Sequence, residues 1–144
     1  VNPKLLRDLG LQDSAPGPVL VYNASFERKR IEELAATFPD LADELLAINE
    51  RIVDLLPITR QHYYHPEMRG SWSLKAVLPT IVAGLGYNGM AVANGGMAQD
   101  AFLEMIDVGT EAERKEELRQ GLLDYCALDT YALVQLVEFF SKES

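Results

Sequence analysis

A single cysteine, Cys126, cannot close a disulfide within the chain, which fits a reducing cytoplasm. No apolar run reaches the length that spans a bilayer, and no signal peptide is visible, so nothing predicts a membrane partner. Basic residues are scarce: 13 Lys and Arg stand against 22 Asp and Glu, a net charge of −9. That balance argues against a sequence-independent DNA clamp, which needs a basic face. It leaves a nuclease open, because metal-binding carboxylates add negative charge where the metal cancels it. Two histidines and one cysteine do not complete a zinc cluster. Ser25, Ser71, Ser73 and Cys126 lack a nucleophile-and-base setting, so no hydrolase triad is predicted.

What is present describes a globular chain. Apolar residues make up 48%, six tyrosines are among them, and 144 residues are enough for one domain with a real core. Residues 3–11 read as a short helix and 12–18 as a turn. Residues 19–22, Val-Leu-Val-Tyr, follow the breakers Pro16, Gly17 and Pro18 and read as a buried strand. Asn23 is placed to cap a helix over 24–38, stopped by Pro39. Asp40 is placed to cap a second helix with Leu41, Leu45, Ile48 and Ile52 inward. Residues 52–56 read as a short strand ending at Pro57, and 59–70 as an aromatic, polar loop. Ser71 or Ser73 opens a helix over 74–82 that Pro79 should bend. A glycine-rich loop covers 83–96, a short helix 97–106, and a long helix 111–141 with Gly121 a weak point.

Two carboxylates stand out because they fall on apolar faces. In the last helix Leu118, Leu122, Cys126, Leu133, Leu136 and Phe140 form one stripe at about 100° per residue. Asp129 projects from the middle of that stripe, one turn after Tyr125. In the helix after the first strand, Ile31, Leu34, Ala35 and Phe38 share a face with Glu27. An ionised carboxylate in apolar surroundings needs a donor, a counter-charge or a metal ion. Glu27 and Asp129 can therefore converge on divalent cations, or each can be satisfied locally, Glu27 by the positive end of its own helix.

Other patterns carry less. Gly84-Leu-Gly-Tyr-Asn-Gly89 has the dinucleotide-loop spacing, but Asn94-Gly-Gly96 interrupts the helix that should follow, which favours a flexible loop. His62 and His65 read as loop histidines, with Tyr63, Tyr64 and His65 able to stack on a nucleotide base. Arg60, Arg69 and Lys75 surround the helix start at Ser71 and Ser73, an arrangement that either holds phosphate or is ordinary solvated charge.

These residues fall into a known order. Asn23-Ala-Ser-Phe-Glu27, directly after an apolar strand, resembles the second motif of DnaQ-like 3′–5′ exonucleases. The run Tyr125-Cys-Ala-Leu-Asp129 resembles their third motif in its Tyr-x-x-x-Asp form. Between them, Val53-Asp54-Leu55 and Ser71-Trp-Ser-Leu-Lys-Ala-Val-Leu78 resemble the Asp-Thr-Leu strand and the Ser-Leu helix. The wording is closer still to a bacterial domain family of unknown function that usually lies C-terminal to a RecB-like, PD-(D/E)XK-type nuclease region.

The resemblance implies an α/β, RNase H-like fold, rich in helix, and two-metal phosphodiester hydrolysis from a 3′ end with Mg²⁺ or Mn²⁺. It makes Glu27 and Asp129 metal ligands, Tyr125 the group that orients water, and Asn23 and Asp54 near-site residues. Tyr64, His65, Ser73 and Lys75 become contacts to DNA or RNA. The first exonuclease motif, Asp-x-Glu, occurs nowhere in the chain. The expectation is thus of a single partial domain, 1–144, lacking its first strands, inactive by itself and working in a longer parent that carries the RecB-like region. The alternative is a degenerate exonuclease fold that binds nucleic acid or protein. An exposed sheet edge also predicts self-association, checked by light scattering at high concentration.

Overall fold

Val19-Leu-Val and Ile52-Val-Asp are rich in β-branched residues and both become strands, β1 (Val19–Val21) and β2 (Ile52–Asp54). A computed structural model describes residues 17–142; the helix expected over 3–11 lies outside them, as does all but the end of the 12–18 turn. The strands pair in parallel, Val19 opposite Ile52, Leu20 opposite Val53 and Val21 opposite Asp54. Parallel neighbours require a crossover. Here it consists of helix α1 (Ala24–Thr37), a 3₁₀ turn (Pro39–Leu41) and helix α2 (Ala42–Glu50). Val21, Ala24 and Ile52 form the buried centre of this unit, with Val19 and Ile31 against it.

The strand expected over 52–56 stops at Asp54, and helix α3 (Leu55–His62) begins at once. Pro57 falls in the first turn of α3, where its missing N–H has no helical acceptor to lose. Leu34 and Phe38, expected inward, are about half exposed among the described residues. Three-residue strands are short, and they cover only the early turns of α1, down to Ile31. Asp40 is not a cap: the 3₁₀ turn intervenes, and Leu41 takes the N-cap position of α2 with no side-chain bond.

The chain divides into two compact units, Val1–Gln61 and His62–Ser144. In the second unit a 3₁₀ turn (Pro66–Met68) leads to helix α4 (Leu74–Ile81), then α5 (Gly95–Ile106) and the long α6 (Ala112–Lys142). Helix α6 packs along both α4 and α5. Asn94, expected to interrupt a helix, instead starts one: its side chain accepts the Met97 amide at 2.9 Å and caps α5. Leu78, Tyr87 and Ala132 make one buried cluster; Val92, Ala101 and Leu118 make another; Tyr125 touches both. Cys126, placed on the apolar stripe by periodicity, is exposed. The buried positions of α6 are Leu118, Gly121, Ala132 and Leu136: Leu118 and Leu136 fall on the expected line, and Gly121 and Ala132 lie beside it.

Gly121 does not break α6, which runs through it, and its missing side chain lets the segment at Ala91 and Val92 pack close. A Cβ there would sit 3.3 Å from Val92 Cγ2 and 3.5 Å from Ala91 Cβ. Replacing Gly121 with Val crowds this contact, where Val92 is only 3% exposed. We expect Gly121→Val to lower unfolding stability by about 1–3 kcal/mol in urea titrations; an unchanged midpoint would show that the loop at Ala91 and Val92 swings away freely.

Candidate functional site

The junction between β1 and α1 is built by an acid from the neighbouring strand. Asn23 has φ of 84°, a left-handed turn that Asn tolerates better than most side chains. This geometry turns its side chain away from the α1 amides; Asn23 Oδ1 accepts from Ser25 Oγ at 2.9 Å, and no side-chain cap forms. Asp54, at the end of β2, does the capping across the strand pair. Its Oδ1 accepts the amides of Asn23 (2.9 Å) and Leu56 (3.0 Å), and its Oδ2 accepts the amide of Ala24 (2.9 Å). Partial burial pushes the Asp54 carboxyl up, but the three amides and the Arg28 charge outweigh it and hold the group below the usual carboxylate range. Glu27 sits half-buried in the first turn of α1, and among the described residues its carboxylate accepts no hydrogen bond. It stands close to the positive end of α1.

In the second unit Asp129 does meet a donor. The Tyr87 hydroxyl donates to Asp129 Oδ1 at 2.5 Å. Tyr87 comes from the glycine loop at residues 84–89, and it is only 5% exposed. Tyr125, one helical turn before Asp129, lies with its ring 6.0 Å from that of Tyr87. Burial, and then the Asp129 charge, push the Tyr125 phenol up to about 12. Burial and the hydrogen bond to Asp129 push Tyr87 further in the same direction. Both phenols are therefore neutral near pH 7 and act as hydrogen-bonding groups. Lys75 of α4 completes the group, its Nζ 5.4 Å from the centre of the Tyr87 ring.

The remaining predicted contacts flank this cluster in sequence. Tyr64 is exposed and its ring stands 5.8 Å from Trp72. The loop beneath is tied down, with Trp72 Nε1 donating to the Tyr63 carbonyl at 2.9 Å and Tyr63 Oη to Thr80 Oγ1 at 3.0 Å. His65 Nδ1 accepts the Glu67 amide at 3.3 Å and serves as a cap for the 3₁₀ turn. Ser73 is the N-cap residue of α4 by position, but its hydroxyl makes no cap bond; it accepts from Ser71 Oγ at 3.2 Å. A cleft of about 480 Å³ lies elsewhere, between α5 and the first turns of α6. Arg114 on its rim is already matched by Glu104 and Glu117.

Periodicity anticipated Tyr125 and Asp129 on one face. It missed Tyr87, whose signal was a large aromatic inside a glycine loop, and it missed the capping role of Asp54, whose signal was an acid between Val53 and Leu55 at a strand end. A two-metal site requires several converging carboxylates. Among the described residues no three His, Cys, Asp or Glu side chains group together, and Asp129 gives one oxygen to Tyr87. The residues described in this chain do not by themselves make up such a site. No helix among them is long and apolar enough to cross a membrane.

Comparison with known proteins agrees in being silent about chemistry. The chain is similar to an uncharacterized protein, UU173, of Ureaplasma parvum serovar 3, with 29% identity over 142 residues. The match covers 86% of this chain and 20% of that protein, so the chain spans about a fifth of the length of the curated relative it matches. No solved structure matches. Residues 2–73, half of the chain, match the family described as a domain of unknown function, DUF2779, and the chain belongs to that family.

Proposed function

We propose that this chain is part of an RNase H-like, DnaQ-like domain that removes nucleotides from the 3′ end of DNA or RNA in a longer parent protein. The observation that carries the reading is the Tyr125 and Asp129 pair on one face of α6, half-buried and set in a polar cluster with Tyr87 and Lys75. The strand-to-helix junction at Asn23, fixed by Asp54, supports it by holding Glu27 in the first turn of α1. In this reading Glu27 and Asp129 are acidic ligands for Mg²⁺ or Mn²⁺, and the remaining carboxylates come from sequence outside this chain. Tyr125 holds the attacking water by hydrogen bonding. Tyr64, His65, Ser73 and Lys75 meet the nucleic acid, with the exposed Tyr64 ring open to base stacking. A RecB-like nuclease region in the same parent is the partner, and the setting is cytoplasmic.

The second reading is a degenerate exonuclease fold used to bind nucleic acid or protein. The engagement of Asp129 by Tyr87 favours it. A ligand held only by the native state raises the melting temperature. In the longer protein, Mn²⁺ should raise Tm, and Asp129→Asn should remove most of the rise. A longer protein whose Tm ignores Mn²⁺ points to the binding module.

A further inference from the structure

We infer that the cleft between α5 and the first turns of α6 binds a small organic cation, an ammonium group carried on an apolar body. The cleft is open because much of its lining is small. Ala91, Ala101 and Gly121 stand where larger side chains would close the seam. Gly121 also lets the segment at Ala91 and Val92 lie close against α6, and that segment supplies a third wall. The floor is apolar and built into the fold: Val92, Ala101 and Leu118 form one buried cluster. Met97 adds an exposed, flexible apolar side chain that can adjust to what it covers. A volume of about 480 Å³ lies in the range of small-molecule sites.

The charged residues of the lining set the sign of the ligand. Three acids, Asp100, Glu104 and Glu117, stand against one cation, Arg114, a sum of −2. Arg114 is not free to take an anion. Its Nε and Nη2 donate to the two oxygens of Glu104 at 2.9 and 3.3 Å, and its Nη1 donates to Glu117 Oε2 at 3.2 Å. Asp100 stands one turn before Glu104 on α5, and among the described residues its carboxylate has no hydrogen-bond or ion-pair partner. Like charges at that spacing repel, and a cation beside them offsets the repulsion. An ammonium at Asp100 gains a charge partner while its apolar body leaves water against Val92 and Leu118. An anion meets repulsion there and finds no unmatched guanidinium. The cleft shares no lining residue with the cluster of Tyr87, Tyr125 and Asp129, so this is a second site, independent of the exonuclease reading.

The test titrates the isotope-labelled chain with tryptamine, and with indole-3-propionate as a probe of similar body and opposite charge, following backbone amide shifts by NMR. Tryptamine should move the amides of Val92, Ala101, Leu118 and Gly121 with a Kd of about 1 mM or tighter. Indole-3-propionate should bind about tenfold more weakly. Asp100→Asn should weaken tryptamine about threefold and leave indole-3-propionate no weaker. Ala91→Leu, at an exposed position, should fill the cleft from its wall and abolish binding of both probes. Absent shifts at the four amides overturn the proposal, as do equal affinity for the two probes, unchanged tryptamine binding in Asp100→Asn, or full binding in a folded Ala91→Leu variant. So does tighter binding of the peptide acetyl-Leu-Lys-amide than of tryptamine, which would give the cleft to a side chain of a partner protein. Failure of the exonuclease reading appears separately, as absent hydrolysis by the longer protein, and leaves these results in place.

Discussion

Asp54→Ala should destabilise the chain by about 2 kcal/mol at neutral pH, the range for loss of a charged helix cap. One carboxylate accepts three backbone amides from two different segments, the start of α1 and the start of α3. Removing it leaves those amides to water and frees Asn23 from the left-handed turn that aims α1. The effect has a defined pH dependence. The folded carboxyl sits below its unfolded value, so its stabilisation is complete above the unfolded pKa and declines as pH falls through the folded one. With an unfolded value of about 3.9, urea midpoints of the two proteins should differ fully near neutral pH and converge in strong acid. A gap that persists unchanged in acid would mean that Asp54 acts through packing and not through its charge. Asp54→Asn should fall between, since its amide keeps one acceptor oxygen but turns an N–H₂ toward donors.

Asp129→Asn should leave the chain folded and remove the proposed 3′-end hydrolysis. The amide oxygen can still accept from Tyr87, so the cluster with Leu78 and Ala132 keeps its packing. The charge is gone, and with it the cation ligand that the proposed function assigns to Asp129. In the longer protein the variant should lose at least about a hundredfold in 3′-end hydrolysis, equivalent to about 2.7 kcal/mol of transition-state stabilisation. A RecB-like nuclease region in the same parent would leave activity that Asp129 does not touch. The informative quantity is therefore the part of the activity that the substitution removes. Equal rates in the two proteins, with unchanged melting, would place Asp129 among structural acids and favour the binding module.

The elements were legible where local rules decide them. Three-residue strands with Val and Ile, a proline stop at Pro39 and a long periodic stretch ending near Lys142 could be read along the chain. Helix α5 began earlier than expected because Asn94 reads as a loop residue until its side chain is seen accepting the Met97 amide. Cys126 was misplaced on the buried stripe because α6 packs on two helices, and its buried line is set by both. The site was half legible for the same reason. Tyr125 and Asp129 are one turn apart, and helical spacing alone puts them together. Tyr87 lies 42 positions from Asp129, and the Asp54 bond to Asn23 spans 31. No local pattern encodes contacts at such separations; they follow from how the loop and the strand pair fold back.

The measurement that bears most directly on the account is the fate of single-stranded DNA and RNA labelled at the 5′ end, incubated with the longer protein and Mn²⁺ beside its Asp129→Asn variant. The account predicts a ladder of products shortened one nucleotide at a time from the 3′ end, absent in the variant. Intact substrate from a folded protein, or the same ladder in both, would contradict it.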